Sequence, residues 1–436
     1  MELVLFGIVF IIEFALTVYC LVTKQTHRKL KSLVRIAEFI VLATLILLPV
    51  IEWSFYWIVC TGLLFLLAVK GLISLIRQSK TTLRVFKRSA TLAKAILLLI
   101  MLTLAFTPVL LFPQYRLPEV TGDYPVATAV YTYTDKSRIE QFTDAGEHRQ
   151  VNVEFWYPEQ ADGTYPLLVF SHGAYGIRYS NTSTFTELAS HGYVVASIDH
   201  PYHSFYTESE DGKLTMISPD YFQEANDINK AGVYTAQEFD GIIQKWMKLR
   251  TGDMSLVIDT VVEMAAKEDS PAVYQLVDPA KIGVFGHSMG GAASVWLGRE
   301  RGDLGAVVNL DGPLFSELIY DQAADHFTAA IKAYNIPLLN IYSDDVWKQL
   351  DYVTVYAGNK TAEQTFADVY SVHFQGANHM SLTDLPLFSP ILANMMPVGK
   401  AVIDKYYCIE NMNQLVLQFF DYTLKGIGRF TPKAEY

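Results

Sequence analysis

One hexapeptide constrains the fold of this chain more than any other feature. Gly286-His287-Ser288-Met289-Gly290-Gly291 follows an apolar run at residues 281–285 and leads into a helical sequence. This is the pattern G-x-S-x-G on a turn between a strand and a helix. Such a turn strains the backbone of the serine and holds its hydroxyl clear of the sheet, and the glycines are needed where strand and helix approach too closely for a Cβ. We therefore predict that Ser288 is a nucleophile for acyl transfer.

The sequence on both sides of this turn alternates between strand and helix patterns. Short apolar runs predict buried strands, and amphipathic runs between them predict helices. The alternation predicts a mostly parallel central sheet flanked by helices, an α/β fold over residues 118–436 with an insert near residues 200–240. The predicted strands are residues 126–133, 151–156, 166–170, 193–198, 281–285, 305–310, 337–342 and 369–374, and the predicted helices are residues 181–190, 231–249, 256–267 and 413–424.

A serine nucleophile requires a base and an acid that orients the base. In α/β-hydrolases these follow in the chain order Ser, Asp or Glu, His, each after a strand. His379 lies in a loop just past the last predicted strand, and we predict that it is the base. The other two histidines after Ser288 fit this role less well, because His326 lies in a run that we interpret as helical and His373 lies within a strand.

Position in the chain alone does not identify the acid that orients the base. Asp311 follows the strand at residues 305–310, whereas Asp344 and Asp345 follow the next strand, and the fold permits an acid after either one. Asp303 is a remote alternative.

An oxyanion hole requires two backbone donors. The N–H of Met289, the residue after the nucleophile, supplies one. The second is predicted to be the N–H of Ala174, in the loop Ser171-His172-Gly173-Ala174 that follows a central strand. We interpret His172 as a residue that shapes this loop. The segment Asp199-His200-Pro201-Tyr202-His203 is predicted to line the substrate cleft, and no metal or cofactor is predicted.

The first 117 residues have the composition of a membrane domain. About 20 apolar residues are needed to cross the hydrocarbon of a bilayer. The first apolar stretch lacks the basic start and cleavage site of a signal peptide, so we interpret it as a spanning helix. We predict an all-α transmembrane bundle of about four helices, at residues 3–22, 36–51, 55–76 and 95–112.

Charge orients this bundle. Residues 1–117 hold thirteen Lys and Arg against four acids (+9), which leaves 21 bases and 41 acids (−20) for the rest of the chain. Five of the bases lie at residues 24–35 and six at residues 77–94, so both loops are predicted to be cytoplasmic. Four crossings then place residues 118–436 outside the cytoplasm. The acidity of this part argues against nucleic acid as a partner.

Three charged residues fall inside the apolar segments. Glu13, Glu38 and Lys70 are costly at such positions, and a pair between a carboxylate and an ammonium group would reduce the cost. We favour such a structural pair, or side chains that extend to the membrane interface, over a conduit or a sensor.

Several segments together resemble the platelet-activating-factor acetylhydrolase family, in its plasma and type II branch. The similar segments are residues 170–173, 188–196, 286–291, 310–311 and 376–379, over a region of roughly residues 120–425. The resemblance implies that Asp311 is the acid, with calcium-independent hydrolysis of short or oxidised acyl esters and no cofactor. Residues 200–241 do not match, and Asp311 is followed by Gly-Pro where bulkier residues are expected.

These observations predict a membrane-anchored serine hydrolase of carboxylic esters, facing the extracytoplasmic side of the cell membrane. A small-molecule or lipid ester is the expected substrate, and the bilayer is the expected partner of the N-terminal helices. The alternatives are a peptidase or thioesterase with the same three residues, a non-catalytic membrane sensor, and a transporter. The sequence does not determine the acyl length, the leaving group or the oligomeric state.

Overall fold

The computed structural model describes residues 1–77, 86–160, 162–228, 230, 232–330, 332–396 and 399–436. The chain forms two compact units. The first consists of residues 1–116 with 388–392, and the second of residues 117–387 with 393–436.

The first unit is helical. Its four long helices within the described residues are α1 (Glu2–Thr23), α2 (Arg28–Leu47), α3 (Ile58–Arg77) and α4 (Arg88–Leu111). Helices α2 and α3 pack closely at Gly71. A Cβ at this residue would lie only 2.9 Å from the backbone oxygen of Ser32, so glycine permits the approach. Part of the second basic loop, residues 78–85, lies outside the described residues.

Three of the four predicted spans qualify as membrane-crossing helices. By length and composition, the candidates among the described residues are Glu2–Thr23, Phe55–Arg77 and Arg88–Leu111. The predicted span at residues 36–51 differs, because its helix is Arg28–Leu47 and ends before residue 48. The first half of this helix carries Lys and Arg side chains, so it is less apolar than the other three.

The predicted pairing of buried charges needs correction. Glu13 of α1 is paired with Arg35 of α2 through two hydrogen bonds of 2.6 and 3.0 Å, and not with Lys70. An arginine at the start of an apolar stretch was interpreted only as a loop charge. The side-chain oxygens of Glu38 are buried without a hydrogen-bond partner among the described residues.

The second unit is built on one large sheet. Eight strands of the described chain form it in the order β1-β2-β4-β3-β7-β8-β11-β12, and two separate two-stranded pairs are β5-β6 and β9-β10. β1 pairs antiparallel with β2, β2 pairs antiparallel with β4, and the remaining pairs in this sheet are parallel. The strands are β1 (Val126–Ile139), β2 (His148–Pro158), β3 (Tyr165–Ser171), β4 (Val194–Asp199), β5 (Tyr206–Glu208), β6 (Leu214–Met216), β7 (Val277–His287), β8 (Leu304–Leu310), β9 (Leu318–Asp321), β10 (His326–Ala329), β11 (Leu338–Ser343) and β12 (Val369–Phe374).

The central strands are mostly apolar because both faces of the sheet are covered. In β3, Leu167 and Val169 belong to the core on one face, while Leu168 and Phe170 belong to the core on the other. All four side chains are fully buried. The helices that lie wholly in this unit are α5 (Thr182–Ser190), α6 (Pro219–Asp227), α7 (Ala236–Ala265), α8 (Ala272–Gln275), α9 (Met289–Glu300), α10 (Asp344–Trp347), α11 (Ala357–Thr365) and α14 (Lys405–Phe420). Two short helices, α12 (Leu385–Phe388) and α13 (Pro390–Met395), include residues at its boundary.

The two helices predicted at residues 231–249 and 256–267 are one continuous helix, α7. Gly252, which lies between the two predicted helices, makes room for a neighbour, because a Cβ there would lie 2.6 Å from Nη1 of Arg138. Residue 231, at the predicted start, lies outside the described residues.

Two further sequence predictions are corrected by packing. His326 begins a strand and not a helix, because the next residue, Phe327, packs edge-on against Phe239 with ring centroids 5.5 Å apart. The closing helix begins at Lys405, eight residues before the predicted start at Asn413, because the Asp404 side chain caps its first turn.

The insert near residues 200–240 has regular structure that its polar sequence did not reveal. It contains β5, β6 and α6. Ser218 caps α6 by accepting from the N–H of Tyr221. Glu224 of α6 binds Lys245 and Trp246 of α7, and these contacts fix the insert against the long helix.

Candidate active site

The turn around Ser288 has the geometry that its sequence predicts. Ser288 lies between β7 and α9 with φ 55° and ψ −120°, a strained conformation for a residue with a side chain. A Cβ at Gly290 would lie 1.8 Å from the oxygen of Ser171, and one at Gly286 would lie 2.3 Å from the carbonyl carbon of Gly290. Both positions therefore exclude every side chain. The glycines allow α9 to start directly against β3 and hold Ser288 at the carboxyl edge of the sheet.

Asp311 and His379 are brought together at this edge. Asp311 follows β8, and His379 follows β12 in a short 3₁₀ turn. Nδ1–H of His379 donates to Oδ2 of Asp311 over 2.8 Å. Asp311 is fully buried, and its two oxygens also accept from the N–H of Ser343 (2.7 Å) and from its hydroxyl (2.5 Å). The carboxylate is thus held in one orientation against the imidazole.

His379 also contacts the turn that carries Ser288. Nε2–H of His287 donates to the backbone oxygen of His379 over 2.9 Å, and the two rings lie 4.5 Å apart. Among the described residues, no hydrogen bond joins Ser288 Oγ to His379. Such contacts are often long in free enzymes and shorten only when substrate is bound.

The alternative acids have other partners. Oδ1 of Asp344 accepts from Nε2–H of His373 over 2.6 Å, and the ring of His373 stacks on Trp347. Asp345 accepts from the backbone N–H of His379 over 3.2 Å and does not reach its ring in any hydrogen bond that the described residues make. Asp303 is paired with Arg301. Of the four candidates, Asp311 is the one that is placed to orient the imidazole.

The loop after β3 lies against the nucleophile turn. A Cβ at Gly173 would lie 3.3 Å from the Cβ of Ser288, so the backbone of the loop passes directly beside the serine. His172 shapes this loop, because its Nδ1–H donates to the oxygen of Gly173 (2.6 Å) and its Nε2 accepts from Ser204 (2.7 Å). In the described part of the chain, neither Ala174 N–H nor Met289 N–H donates a hydrogen bond. Both N–H groups are therefore free to bind an oxyanion.

His200 and His203 do not line an open cleft, which corrects the sequence interpretation. Both are buried, at 0% and 1% exposure. Nδ1–H of His200 donates to Asp253 over 2.9 Å, and its Nε2 accepts from Ser171 over 2.9 Å. The sequence did not show this, because Asp253 is more than fifty residues away on α7. The described residues contain no group of three or more His, Cys, Asp or Glu placed to hold a metal ion.

Tyr221 and Arg250 also lie at this site, and neither was predicted from the sequence. Tyr221 of α6 is buried, stacks on His203 at 3.7 Å and places its hydroxyl 3.4 Å from Sδ of Met289. Arg250 of α7 is fully buried beside the loop after β3. A buried arginine on an amphipathic helix carries no local signal. The aromatic content of the insert was the one available clue to Tyr221.

The fold defines the class of this protein. Its strand order and its strand–serine–helix turn are those of an α/β-hydrolase. A sequence model of the family described as platelet-activating factor acetylhydrolase, isoform II, matches residues 141–427, which is more than half of the chain. The chain therefore belongs to this family.

Individual relatives match over shorter regions. A platelet-activating factor acetylhydrolase from Canis lupus familiaris is 30% identical over 146 residues, which cover 31% of this chain and 32% of the relative. A probable 1-alkyl-2-acetylglycerophosphocholine esterase from Arthroderma benhamiae is 27% identical over 154 residues, 35% of this chain and 33% of the relative. The matches thus span about a third of the length of these curated relatives.

A solved structure shares the fold. The ferulic acid esterase from Streptomyces cinnamoneus superposes with a TM-score of 0.55 and 21% sequence identity, over 72% of this chain and 94% of that chain. At this identity the likeness shows the fold alone.

The buried ionisable groups around the site predict an acid-sensitive fold. Burial lowers the pKa of His172, His203 and His287 well below the usual range, and that of His200 to about 4. These four histidines stay neutral in the folded chain. In the unfolded chain they take up protons below pH about 6.5, so the free energy of unfolding that is present above that pH decreases as pH falls. Burial also raises the pKa of Asp199 and Asp384 to about 6, and these two groups oppose part of the loss.

We therefore expect the unfolding free energy of the full chain to fall between pH 6.5 and pH 4. The four histidines bind protons only in the unfolded chain and the two carboxyl groups only in the folded chain, so the unfolded chain binds two more protons. This difference changes the free energy of unfolding by about 2.7 kcal/mol per pH unit. Thermal unfolding measured across this range gives the dependence of stability on pH. In H203Q the unfolded chain binds about one proton fewer, so this dependence is expected to be weaker. A Tm that stays constant from pH 6.5 to pH 4 would contradict the assignment of neutral buried histidines.

Proposed function

We propose that this protein is a membrane-anchored serine hydrolase of carboxylic esters. One observation carries the proposal. The imidazole of His379, oriented by the buried carboxylate of Asp311, lies at the edge of the sheet where the strained turn presents Ser288. Family membership supports ester chemistry for this arrangement.

In the proposed mechanism, Ser288 Oγ attacks the acyl carbon of the ester while Nε2 of His379 takes the hydroxyl proton. Asp311 holds His379 with Nδ1 protonated, so that Nε2 is the basic nitrogen, and stabilises the imidazolium that forms. The tetrahedral intermediate collapses when His379 returns the proton to the leaving alcohol. Water then attacks the acyl-serine by the same route, and the carboxylic acid and free Ser288 are released.

The N–H groups of Met289 and Ala174 hold the oxyanion in this proposal. They come from the start of α9 and from the loop after β3, which lie on either side of Ser288. The N-terminus of α9 adds a favourable dipole for negative charge at this point. Loss of one such donor typically costs about 2.7–4 kcal/mol of transition-state stabilisation.

The proposed substrate is an ester with a short or lipid-like acyl chain. The names of two relatives support this choice, since one is an acetylhydrolase of platelet-activating factor and the other a probable esterase of 1-alkyl-2-acetylglycerophosphocholine.

The N-terminal helices are proposed to anchor the protein in the cell membrane. Three of them are long and apolar enough to cross it. The two basic segments, residues 24–35 and 77–94, belong on the same cytoplasmic side, which requires an even number of crossings between them. Since α3 is a candidate span, α2 crosses with it and is held by the pairing of Arg35 with Glu13. The unit that contains Ser288 then faces away from the cytoplasm.

The proposed chemistry predicts that the purified full chain hydrolyses p-nitrophenyl esters and that S288A does not. Removal of a nucleophile leaves only the contributions of binding and the oxyanion hole, so we expect a loss of about 10⁴-fold or more in kcat. A series from acetyl to dodecanoyl esters, measured in detergent micelles, gives the acyl length with the highest kcat/KM.

Two acidic positions serve as a matched pair of controls in this assay. D311N removes the carboxylate that holds His379 and is expected to lower kcat by about 10⁴-fold. D344N removes the partner of His373 and is expected to change kcat less than threefold. Equal losses in both variants would contradict Asp311 as the acid.

Turnover of amide or thioester analogues without ester turnover would favour the peptidase or thioesterase alternative.

The anchor predicts how the protein partitions between membrane and buffer. The full chain is expected to remain with membranes after a carbonate wash, and a chain that begins at residue 117 is expected to lose this association. Protease added to right-side-out vesicles is expected to cleave the unit that contains Ser288. Protection there, with cleavage in inverted vesicles, would contradict the proposed orientation, and release by carbonate would contradict the anchor.

A further inference from the structure

Arg250 is a buried cation with an unusual set of partners. It lies on α7, is fully buried, and has no carboxylate within salt-bridge distance among the described residues. Its partners are oxygens at the loop after β3. Nη1 donates to the backbone oxygen of His172 and to the hydroxyl of Ser171 (3.2 Å), and Nη2 donates to the backbone oxygen of Gly173 (3.3 Å). The guanidinium thus holds two consecutive carbonyl groups of the loop.

These contacts determine where the following N–H group points. In a trans peptide the C=O of one residue and the N–H of the next point in opposite directions. The oxygen of Gly173 accepts from Arg250, from Nδ1–H of His172 (2.6 Å) and from the N–H of Gly176 (3.2 Å). The N–H of Ala174 therefore points away from Arg250. Gly173 itself lies against Ser288, so this N–H belongs to the loop segment beside the nucleophile.

The same region of α7 also reaches the other proposed donor. Trp246, one turn before Arg250, packs edge-on against Tyr221 with ring centroids 5.4 Å apart. The hydroxyl of Tyr221 contacts Sδ of Met289. Burial raises the pKa of the Tyr221 phenol, and the positive charge of Arg250 opposes this shift. Helix α7 is therefore packed beneath both sides of the site.

A hydrogen-bonded chain fixes α7 in this position. Asp253, three residues after Arg250, accepts from Arg149 through two bonds of 2.7 Å and from His200 over 2.9 Å. His200 in turn accepts from Ser171, the last residue of β3, directly before the loop that Arg250 holds. Asp253 thus keeps its charge paired with other groups and leaves the guanidinium of Arg250 for the backbone carbonyls.

We propose that Arg250 is a positioning residue that aims the Ala174 N–H at the oxyanion, an inference that rests on the proposed function. Arginine suits this role because its planar fork binds two acceptors in fixed directions, which a lysine ammonium group does not. Arg250 does not touch the reacting atoms. It acts through the orientation of the loop, so its contribution is confined to the transition state, where the oxygen carries negative charge.

The test compares R250M with the wild-type full chain in hydrolysis of a p-nitrophenyl ester. We expect kcat to fall about 10²-fold, as on loss of one oxyanion donor, with KM changed less than threefold. If R250M does not fold, R250K is measured in its place, because lysine keeps a buried cation of similar length. We expect kcat of R250K to fall at least tenfold. R299M is the matched control, because Arg299 also donates to two backbone oxygens, of Ala333 and Lys332, but contacts no residue of the loop.

A trifluoromethyl ketone analogue of the ester gives a second readout that a merely structural role does not change. Ser288 Oγ adds to its carbonyl carbon, the carbonyl electron pair moves to oxygen as the oxyanion, and His379 takes the serine proton. We expect its affinity to fall by the same factor as kcat/KM in R250M or R250K, and to be unchanged in R299M.

Two results would overturn the inference. One is a folded R250M or R250K whose kcat stays within threefold of the wild type, and the other is a loss that lies in KM with unchanged affinity for the ketone. Failure of the proposed function is distinct, because the wild-type chain itself would then show no ester turnover that depends on Ser288.

Discussion

The site depends on the close approach of α9 to β3. A Cβ at Gly290 would overlap the oxygen of Ser171, so only glycine permits the helix to start at this distance from the sheet. The strain at Ser288 is a consequence, because the chain has one residue in which to turn from strand to helix. This approach also brings the loop that follows Ser171 beside the serine, and thus sets the place of the proposed oxyanion donors.

The parallel strands supply the rest of the arrangement. The residues after β8 and β12 lie at the same edge as Ser288, and there Asp311 meets His379. The carboxylate is buried but well solvated by protein donors, since Ser343 gives it both an N–H and a hydroxyl. A buried charge without such partners would be costly. Behind this edge, Arg250 and Asp253 connect α7 to the loop, so the proposed donors rest on a helix and not on the loop alone.

Much of the fold could be predicted from the sequence, because its signals are local. The apolar run of a buried strand and the glycines of the serine turn are each visible within a few residues, and the chain order Ser, Asp, His follows the α/β-hydrolase pattern. The choice between Asp311 and Asp344 was different in kind. It depends on which strand end meets the loop of His379, a contact between residues 68 positions apart, and the family resemblance gave the preference for Asp311.

What the sequence did not reveal depends on long-range contacts. The two predicted helices form one helix, α7, in which Gly252 lies against Arg138 at the far end of β1. The burial of His200 depends on Asp253, and the position of Tyr221 depends on the packing of α6 against α7. In the N-terminal unit, the pairing of Arg35 with Glu13 joins α2 to α1. Periodicity and composition carry no information about such partners.

Covalent labelling tests the central claim of a serine nucleophile most directly. The purified full chain is treated with a fluorophosphonate, and the modified peptide is identified by mass spectrometry. We expect one phosphonyl group per chain, on Oγ of Ser288, and a strongly reduced rate of labelling in H379Q. Labelling at another residue, or ester hydrolysis by a chain that takes no label, would contradict it.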